Sequence, residues 1–355
     1  MKLIKLILLF LFFIQLTTEA QKYSNEFMAI GVGGRALGMS NSVVASTNDV
    51  TSGYWNPAGL VNIESNLEIM FMHSNYFAGI AKYDYGSVSG RIDKNSRFGV
   101  SLIRLGVDDI PNTLEFRDSD GNFDYDRITS FSIADYGFLF SYAKKSNKEN
   151  FSYGGNVKVI HRKAGEFGSA WGFGVDLGAQ YKIRKWMFGG VLRDATTTYN
   201  AWSYNTETFQ DVFLATGNEI PENSTELTMP RLLLGGANKI KIGEKFSFLP
   251  EIGVDITFDK KRNVLVKSNL LSMDPHFGFE VQYVDFLFFR GGIGNIMEME
   301  NDNGKKVTSV RPSIGIGVRM KSVIIDYALS DVGNSSEGLY SNVFSIKLKI
   351  NSAKK

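Results

Sequence analysis

Three stretches hold side chains whose type and spacing could do chemistry. Gly31-Val32-Gly33-Gly34-Arg35-Ala36 fits G-x-G-x-x-A, which in a βαβ unit brings a dinucleotide pyrophosphate to a helix N-terminus. Only a short polar lead, Gln21 to Glu26, precedes it, and no crossover helix with a second parallel strand follows. The context that gives the glycines that meaning is therefore missing. Asp118, Asp120, Asn122, Asp124 and Asp126 place oxygen ligands on alternate positions, the spacing of a Ca²⁺ loop. They lack the bidentate glutamate at the proper distance, and Gly121 comes too early for an EF-hand; a solvated polar turn is the competing reading. The histidines, His73, His161 and His276, are far apart in the chain, and no G-x-S-x-G elbow or histidine beside a nucleophile can be read. The expectation is a protein that is no enzyme and carries no cofactor.

The elements that would position such residues are strands. Trp171, Phe173, Val175, Leu177, Ala179, Tyr181 and Ile183 alternate with Gly172, Gly174, Asp176, Gly178, Gln180 and Lys182, a period of two kept for more than a dozen residues. Soluble strands average about half that length, whereas membrane strands need roughly ten tilted residues with apolar side chains outward. The same beat recurs from Phe151 to Val159, Phe246 to Ile256, Phe277 to Tyr283, Ile314 to Met320, Val323 to Leu329 and Phe344 to Ile350. Short connections such as Arg91 to Arg97, Lys145 to Asn150, Arg184-Lys185 and Lys321-Ser322 interleave with long ones. The long set includes Val107 to Ser130, Asp194 to Thr228, Asp259 to Asp274 and Asn295 to Thr308. That parity gives an all-β transmembrane barrel of about 14 antiparallel strands. Leu67 to His73 and Tyr76 to Arg91 must be its first two strands, joined by a very short outer turn.

Composition fits an exported chain. The 355 residues have a formal net charge of +2 and no cysteine, which excludes disulfides, thiolate metal sites and an electrostatic footprint for nucleic acid. Lys2 and Lys5, the apolar run Leu6 to Leu16 and Thr18-Glu19-Ala20 read as a cleaved signal peptide over residues 1–20. Its apolar core is too short to span a bilayer, which takes about twenty residues. Residues 21–66 form a separate leading segment, 67–350 the barrel and 351–355 a tail. On the apolar-outward assignment the inner face carries Lys158, Asp176, Glu251, Asp255, Glu280, Arg290 and Asp326 among glycines. Buried charges must pair, so an ion network across the lumen is expected, with Arg35 a candidate partner for an inner-wall carboxylate.

The leading segment reads as something enclosed. Gly33, Gly34 and Gly38 let backbone lie against backbone, and Asn56-Pro57-Ala58-Gly59 sets a tight turn. The run GGRALGMSNSVVAS, then NDVTSGYWNPAGL, then serial alternating strands resembles the PorV/PorQ family of Bacteroidota outer-membrane proteins, distant relatives of the FadL-type channels. GVDDIPNT at Gly106 to Thr113 and the stretch Ser272 to Asn295 carry the same resemblance. It implies a FadL-like barrel in the cell outer membrane, in contact with its lipids, with the leading segment as a hatch around Gly33, Gly34, Arg35, Gly38, Asn56, Pro57, Ala58 and Gly59. It further implies a role in type IX secretion, binding translocon or attachment-complex proteins and the C-terminal sorting domains of cargo. Trp202, Tyr204 and Phe209 in the long second loop are the candidate partner-binding residues, since clustered exposed aromatics mark recognition surfaces. The competing class is a FadL-like transporter of small hydrophobic compounds.

Overall fold

The computed structural model describes residues 24–117, 122–259, 261–300, 305–330 and 341–351. The signal-peptide reading, Asp118, Asp120 and the last four residues of the tail lie outside them.

Fourteen antiparallel wall strands follow one another around a closed ring. They are β1 (Leu67–Tyr76), β2 (Ala81–Arg91), β3 (Ser96–Asn112), β4 (Thr129–Lys145), β5 (Phe151–Ala164) and β6 (Gly168–Ile183). β7 has two pieces, Trp186–Arg193 and Thr198–Tyr204; β8 has three, Thr225–Thr228, Arg231–Asn238 and Ile240–Ile242. Then come β9 (Phe246–Thr257), β10 (Ser272–Tyr283), β11 (Leu287–Glu300), β12 (Lys306–Met320), β13 (Val323–Ser330) and β14 (Ser341–Ile350). Closure is by β14 on β1, from Leu67 opposite Ile350 to Asn75 opposite Asn342, so neither terminal strand keeps a bare edge.

The alternation reads directly onto this ring. Trp171, Phe173, Leu177 and Tyr181 of β6 and Phe344, Ile346 and Ile350 of β14 are exposed on the outer face, while Asp176, Gln180, Ser345 and Lys347 are buried within. An apolar exterior over a polar interior is what a lipid-facing barrel requires.

The outer connections are shorter than the sequence suggests. β3 continues through GVDDIPNT to Asn112 after a bulge at Asp108-Asp109, where Asp109 takes φ 60. β7 resumes at Thr198 beyond a break at Asp194, so the loop expected over Asp194 to Thr228 shrinks to 205–224, with a short helix at Gln210–Thr216. Polar residues at each break end the apolar pattern, yet backbone pairing carries on past them, Thr198 opposite Thr228 and Ala201 opposite Thr225.

Residues 24–66 run through the interior as short helical turns, Glu26–Ala29, Gly34–Leu37, Ser52–Trp55 and Pro57–Asn62. The lumen around them is two-sided. Against β1 to β5 the wall presents Met70, Met72, Tyr76, Tyr83, Tyr85, Ile103, Leu139 and Ile160, which pack on Phe27, Met28, Tyr54 and Trp55 in one apolar core. Elsewhere the inner wall mixes buried charges such as Asp176, Arg193, Glu280, Arg290 and Asp326 with apolar Val191, Leu233, Leu249, Ala328 and Val343. A lining polar all round, as the alternation implied, is therefore corrected: β1 is apolar on both faces, Ile69 and Phe71 outward, Met70 and Met72 inward.

Candidate functional site

The interior segment is held by its own sequence and by the wall. Gly31 and Gly33 adopt φ 106 and 89, open to glycine but costly for other residues, and turn the chain into the four-residue helix Gly34–Leu37. Gly34 N donates to Ser345 Oγ at 3.1 Å and Gly33 N to Met72 Sδ at 2.9 Å. A Cβ on Gly38 would stand 3.0 Å from Gly315 Cα of β12, so the helix lies directly on the wall. Among the described residues no parallel strand flanks it, and the dinucleotide pattern lacks its binding context there. Asn56 Oδ1 accepts from Ala58 N at 3.2 Å, with Pro57 at the first position of the next turn. Asn56 Nδ2 donates to Val44 O and to Ala179 O of β6, both at 3.0 Å. Ala58 and Gly59 are buried against β4, β5 and β6.

Ion pairs tie the segment to the charged wall. Arg35 Nε meets Glu280 Oε2 at 3.2 Å, as the sequence allowed. Glu280 also pairs with Arg290 Nε at 2.7 Å, and Arg290 reaches Asp326 at 2.7 Å, a chain over β10, β11 and β13. Lys158, Asp176 and Asp194 join β5, β6 and β7. Lys347 of β14 pairs with Asp49 of the segment, whose carboxylate also accepts from Thr51 N at 2.9 Å. Burial pushes the Asp49 carboxyl up, but the Lys347 charge and the Thr51 hydroxyl outweigh it and hold the group well below the usual carboxylate range. Burial raises the Tyr54 phenol.

Between residues 29–44 of the segment and the wall of β7 to β13 lies a cavity of about 580 Å³ at the end bearing the long connections. Arg193 of β7, Arg231 of β8, Asp255 of β9 and Asp274 and His276 of β10 face it, with Trp55 at its inner side. Arg262, from the connection after β9, covers it and pairs with Asp259 at 2.5 Å and Glu26 at 3.2 Å. Those carboxylates outweigh the cost of its burial and raise its guanidinium's pKa. A second cavity of about 400 Å³, lined by Val61, Asn62, Arg97 and Lys145, opens at the short-turn end. Residues Asn56 to Leu60, all buried, lie between Trp55 at one cavity and Val61 at the other.

One arrangement corrects the sequence reading that no histidine stands beside a nucleophile. Ser42 Oγ lies 2.7 Å from His276 Nδ1, and His276 Nε2 lies 3.5 Å from Asp255 Oδ1. The pairing spans 234 residues of chain and leaves no local motif. Ser42 is fully buried, so its oxygen cannot be reached by a substrate, and the trio ties segment to wall.

The candidate partner-binding aromatics are placed otherwise than in an open loop. Trp202 and Tyr204 lie on the second piece of β7, stacked 5.8 Å apart and half-buried on the side of the buried Asn200. Arg162 sits over the Trp202 ring at 5.1 Å. Phe209 is buried against Phe213 and Phe167. In the acidic loop, the Asp124 carboxylate accepts from Asp126 N and Arg127 Nε. Asn122 lies in the same loop and is exposed. Among the described residues no three or more His, Asp or Glu side chains form a group that could hold a metal ion. Arg193 and Arg231 were not singled out from the sequence, although alternation from Val191 and Leu233 would have turned both inward.

The fold has solved counterparts. The chain matches the toluene transporter TbuX of Ralstonia pickettii with a TM-score of 0.54 at 14% identity, over 90% of this chain and 99% of that one. It matches the monoaromatic hydrocarbon channel CymD at 0.57 and 13%, over 91% and 98%, and a FadL homologue of Pseudomonas aeruginosa at 0.53 and 12%, over 89% and 97%. The fold is FadL-like, and the first two of these neighbours are described as a transporter and a channel. No protein-family model matches the chain, and no curated protein sequence matches it.

Proposed function

We propose that this chain is an outer-membrane channel that admits small organic molecules from the long-loop side, with residues 21–66 acting as a movable hatch within the barrel 67–350. The observation that carries the reading is the pair of cavities, about 580 and 400 Å³, at opposite ends of one lumen, divided by the buried turn Asn56 to Leu60. Withdrawal of Phe27, Met28 and Tyr54 would bare the apolar inner face of β1 to β5, a surface for the hydrophobic parts of a solute. The likeness to hydrocarbon channels supports the same class. Purified mature barrel in proteoliposomes should raise the entry rate of a labelled small aromatic above that of empty vesicles; equal rates would remove the proposal.

A second reading is accessory binding in type IX secretion, implied by the PorV/PorQ resemblance. The feature that favours it is the aromatic cluster of the first long connection. Phe116 stacks on Phe123 at 5.1 Å, and Phe123 and Tyr125 are strongly exposed. Exposed aromatics supply rigid contact area at low entropic cost. Under this reading translocon or attachment components co-purify with the barrel, and shortening the connection 113–128 removes them while the barrel still inserts. Undiminished co-purification would exclude that surface.

A further inference from the structure

The charged cavity has a sharper chemistry than its neighbours' names suggest. Arg193 and Arg231 are direct cross-strand partners on β7 and β8, both turned inward and only 7% and 9% exposed. Like charges placed opposite each other on a sheet repel, and a buried guanidinium without a carboxylate is costly. Arg193 donates to the Tyr54 carbonyl at 3.0 Å, lies over the Tyr54 ring at 4.7 Å and has no carboxylate oxygen of a described residue within 4.0 Å. Arg231 has Glu26 at 4.0 Å, and its buried Nε has no acceptor. The obvious counter-ions are engaged elsewhere: Asp194 by Lys158 and Thr198, and Glu26 by Arg262.

On the adjoining strands the signs reverse. Asp255 and Asp274 are direct partners on β9 and β10, and both line the same cavity. Asp274 Oδ1 is buried with no donor. The cavity thus has the Arg193–Arg231 pair at one side and the Asp255–Asp274 pair at the other, with Arg262, Arg311 and His276, the last 3.5 Å from Asp255, also in its lining, and Trp55 and Leu233 among its apolar members.

We propose that this cavity binds a small dipolar molecule, one that carries a carboxylate, an ammonium group and an apolar substituent, as an aromatic α-amino acid does. The carboxylate meets the Arg193–Arg231 fork, a geometry suited to guanidinium. The ammonium meets Asp255 and Asp274, and the apolar group lies toward Trp55. An uncharged hydrocarbon gains nothing from either pair. The inference deepens the channel reading and names its solute class.

Four probes built on one phenyl ring separate the possibilities: phenylalanine with both charges, benzoate with the anion, phenethylamine with the cation and toluene with neither. Equilibrium dialysis of the full mature barrel in detergent should give phenylalanine binding at least tenfold tighter than any other probe. Arg231→Gln and Asp274→Asn should each weaken phenylalanine binding about tenfold or more; Asp274→Asn keeps the side-chain shape and serves if the arginine variant does not fold. Benzoate or phenethylamine bound as tightly as phenylalanine overturns the dipolar assignment, as does toluene bound more tightly, no binding of any probe, or phenylalanine binding untouched by the substitutions. Flux of the same probes into proteoliposomes is scored separately. Binding without flux leaves the site and removes the channel, whereas flux of toluene with no phenylalanine binding leaves the channel and removes the site.

Discussion

Gly278→Ala offers a quantitative probe of how the interior segment is seated. Gly278 and Gly292 are Cα partners on β10 and β11, and both face Met39 of the segment. A Cβ on Gly278 would lie 2.8 Å from Met39 Cβ and 3.0 Å from Ser42 Cβ. Ordinary carbon contacts sit at about 3.5–4.0 Å, so the segment must withdraw by roughly 1 Å. Ser42 bonded to His276 and Ser40 bonded to Ser313 at 2.6 Å resist that movement. Overpacking of this kind costs about 1–3 kcal/mol, and it is relieved when the segment leaves the wall. At about 1.4 kcal/mol per tenfold, the released population rises about 5- to 150-fold. Hydrogen exchange of the peptide covering Met39 to Thr47, read by mass spectrometry, reports that population. Gly236→Ala is the control, because its nearest neighbour would be the Phe188 ring at 3.9 Å, and loss of a strand glycine is otherwise neutral or mildly stabilising. Exchange as slow in Gly278→Ala as in Gly236→Ala would refute a segment packed on the wall at this point.

Arg290→Met removes the cation between Glu280 and Asp326, leaving Glu280 with Arg35 alone and Asp326 without its ion-pair partner, and should destabilise the barrel by about 3–5 kcal/mol. The shift to monitor is the temperature at which the compact form is lost on gels of unboiled samples; an unchanged transition would mean that the network is solvated. Asp49→Asn leaves Lys347 with Glu68 at 3.9 Å and should speed exchange in the peptide containing Ser52 to Trp55. The Asp49 carboxyl is held below its ordinary value in the folded protein. Its stabilisation is therefore complete above the ordinary carboxylate pKa, about 4, and is lost only as pH falls through the lower folded value. The wild-type segment should stay docked at pH 4, once intrinsic exchange rates are normalised; release between pH 5 and 4 would contradict the pairing.

The barrel was legible because its signal is periodic and local. β6 alternates through Ile183, β14 does so through Ile350, and short turns alternate with outer connections of varied length, of which 77–80 and 165–167 are themselves short. The Arg35–Glu280 pair was also within reach, since the segment offers an arginine and the inward wall a carboxylate. Three features were not legible. Pairing continues through polar breaks such as Asp194 to Thr197, so Trp202 and Tyr204 read as loop residues although they belong to the wall. The charged cavity arises from register: Arg193 stands opposite Arg231 and Asp255 opposite Asp274 only after β7 to β10 have aligned. No spacing within one strand announces either pair. The apolar half of the lumen was hidden for a related reason, because Ile69 to Met72 is apolar on both faces and its alternation cannot say which side is lipid.

Passage past a moving hatch can be tested with one engineered crosslink. Ser40 Oγ of the segment lies 2.6 Å from Ser313 Oγ of β12, and the natural chain has no cysteine, so Ser40→Cys with Ser313→Cys creates a single possible disulfide. Proteoliposomes holding this variant should pass labelled phenylalanine when reduced, lose that flux on oxidation and recover it on renewed reduction, while the wild type is indifferent to redox treatment. Equal flux in the oxidised and reduced variant would show that solutes do not need the segment to move, and no flux above empty vesicles in either state or in the wild type would show that the barrel is no channel for the dipolar solutes assigned to its cavity.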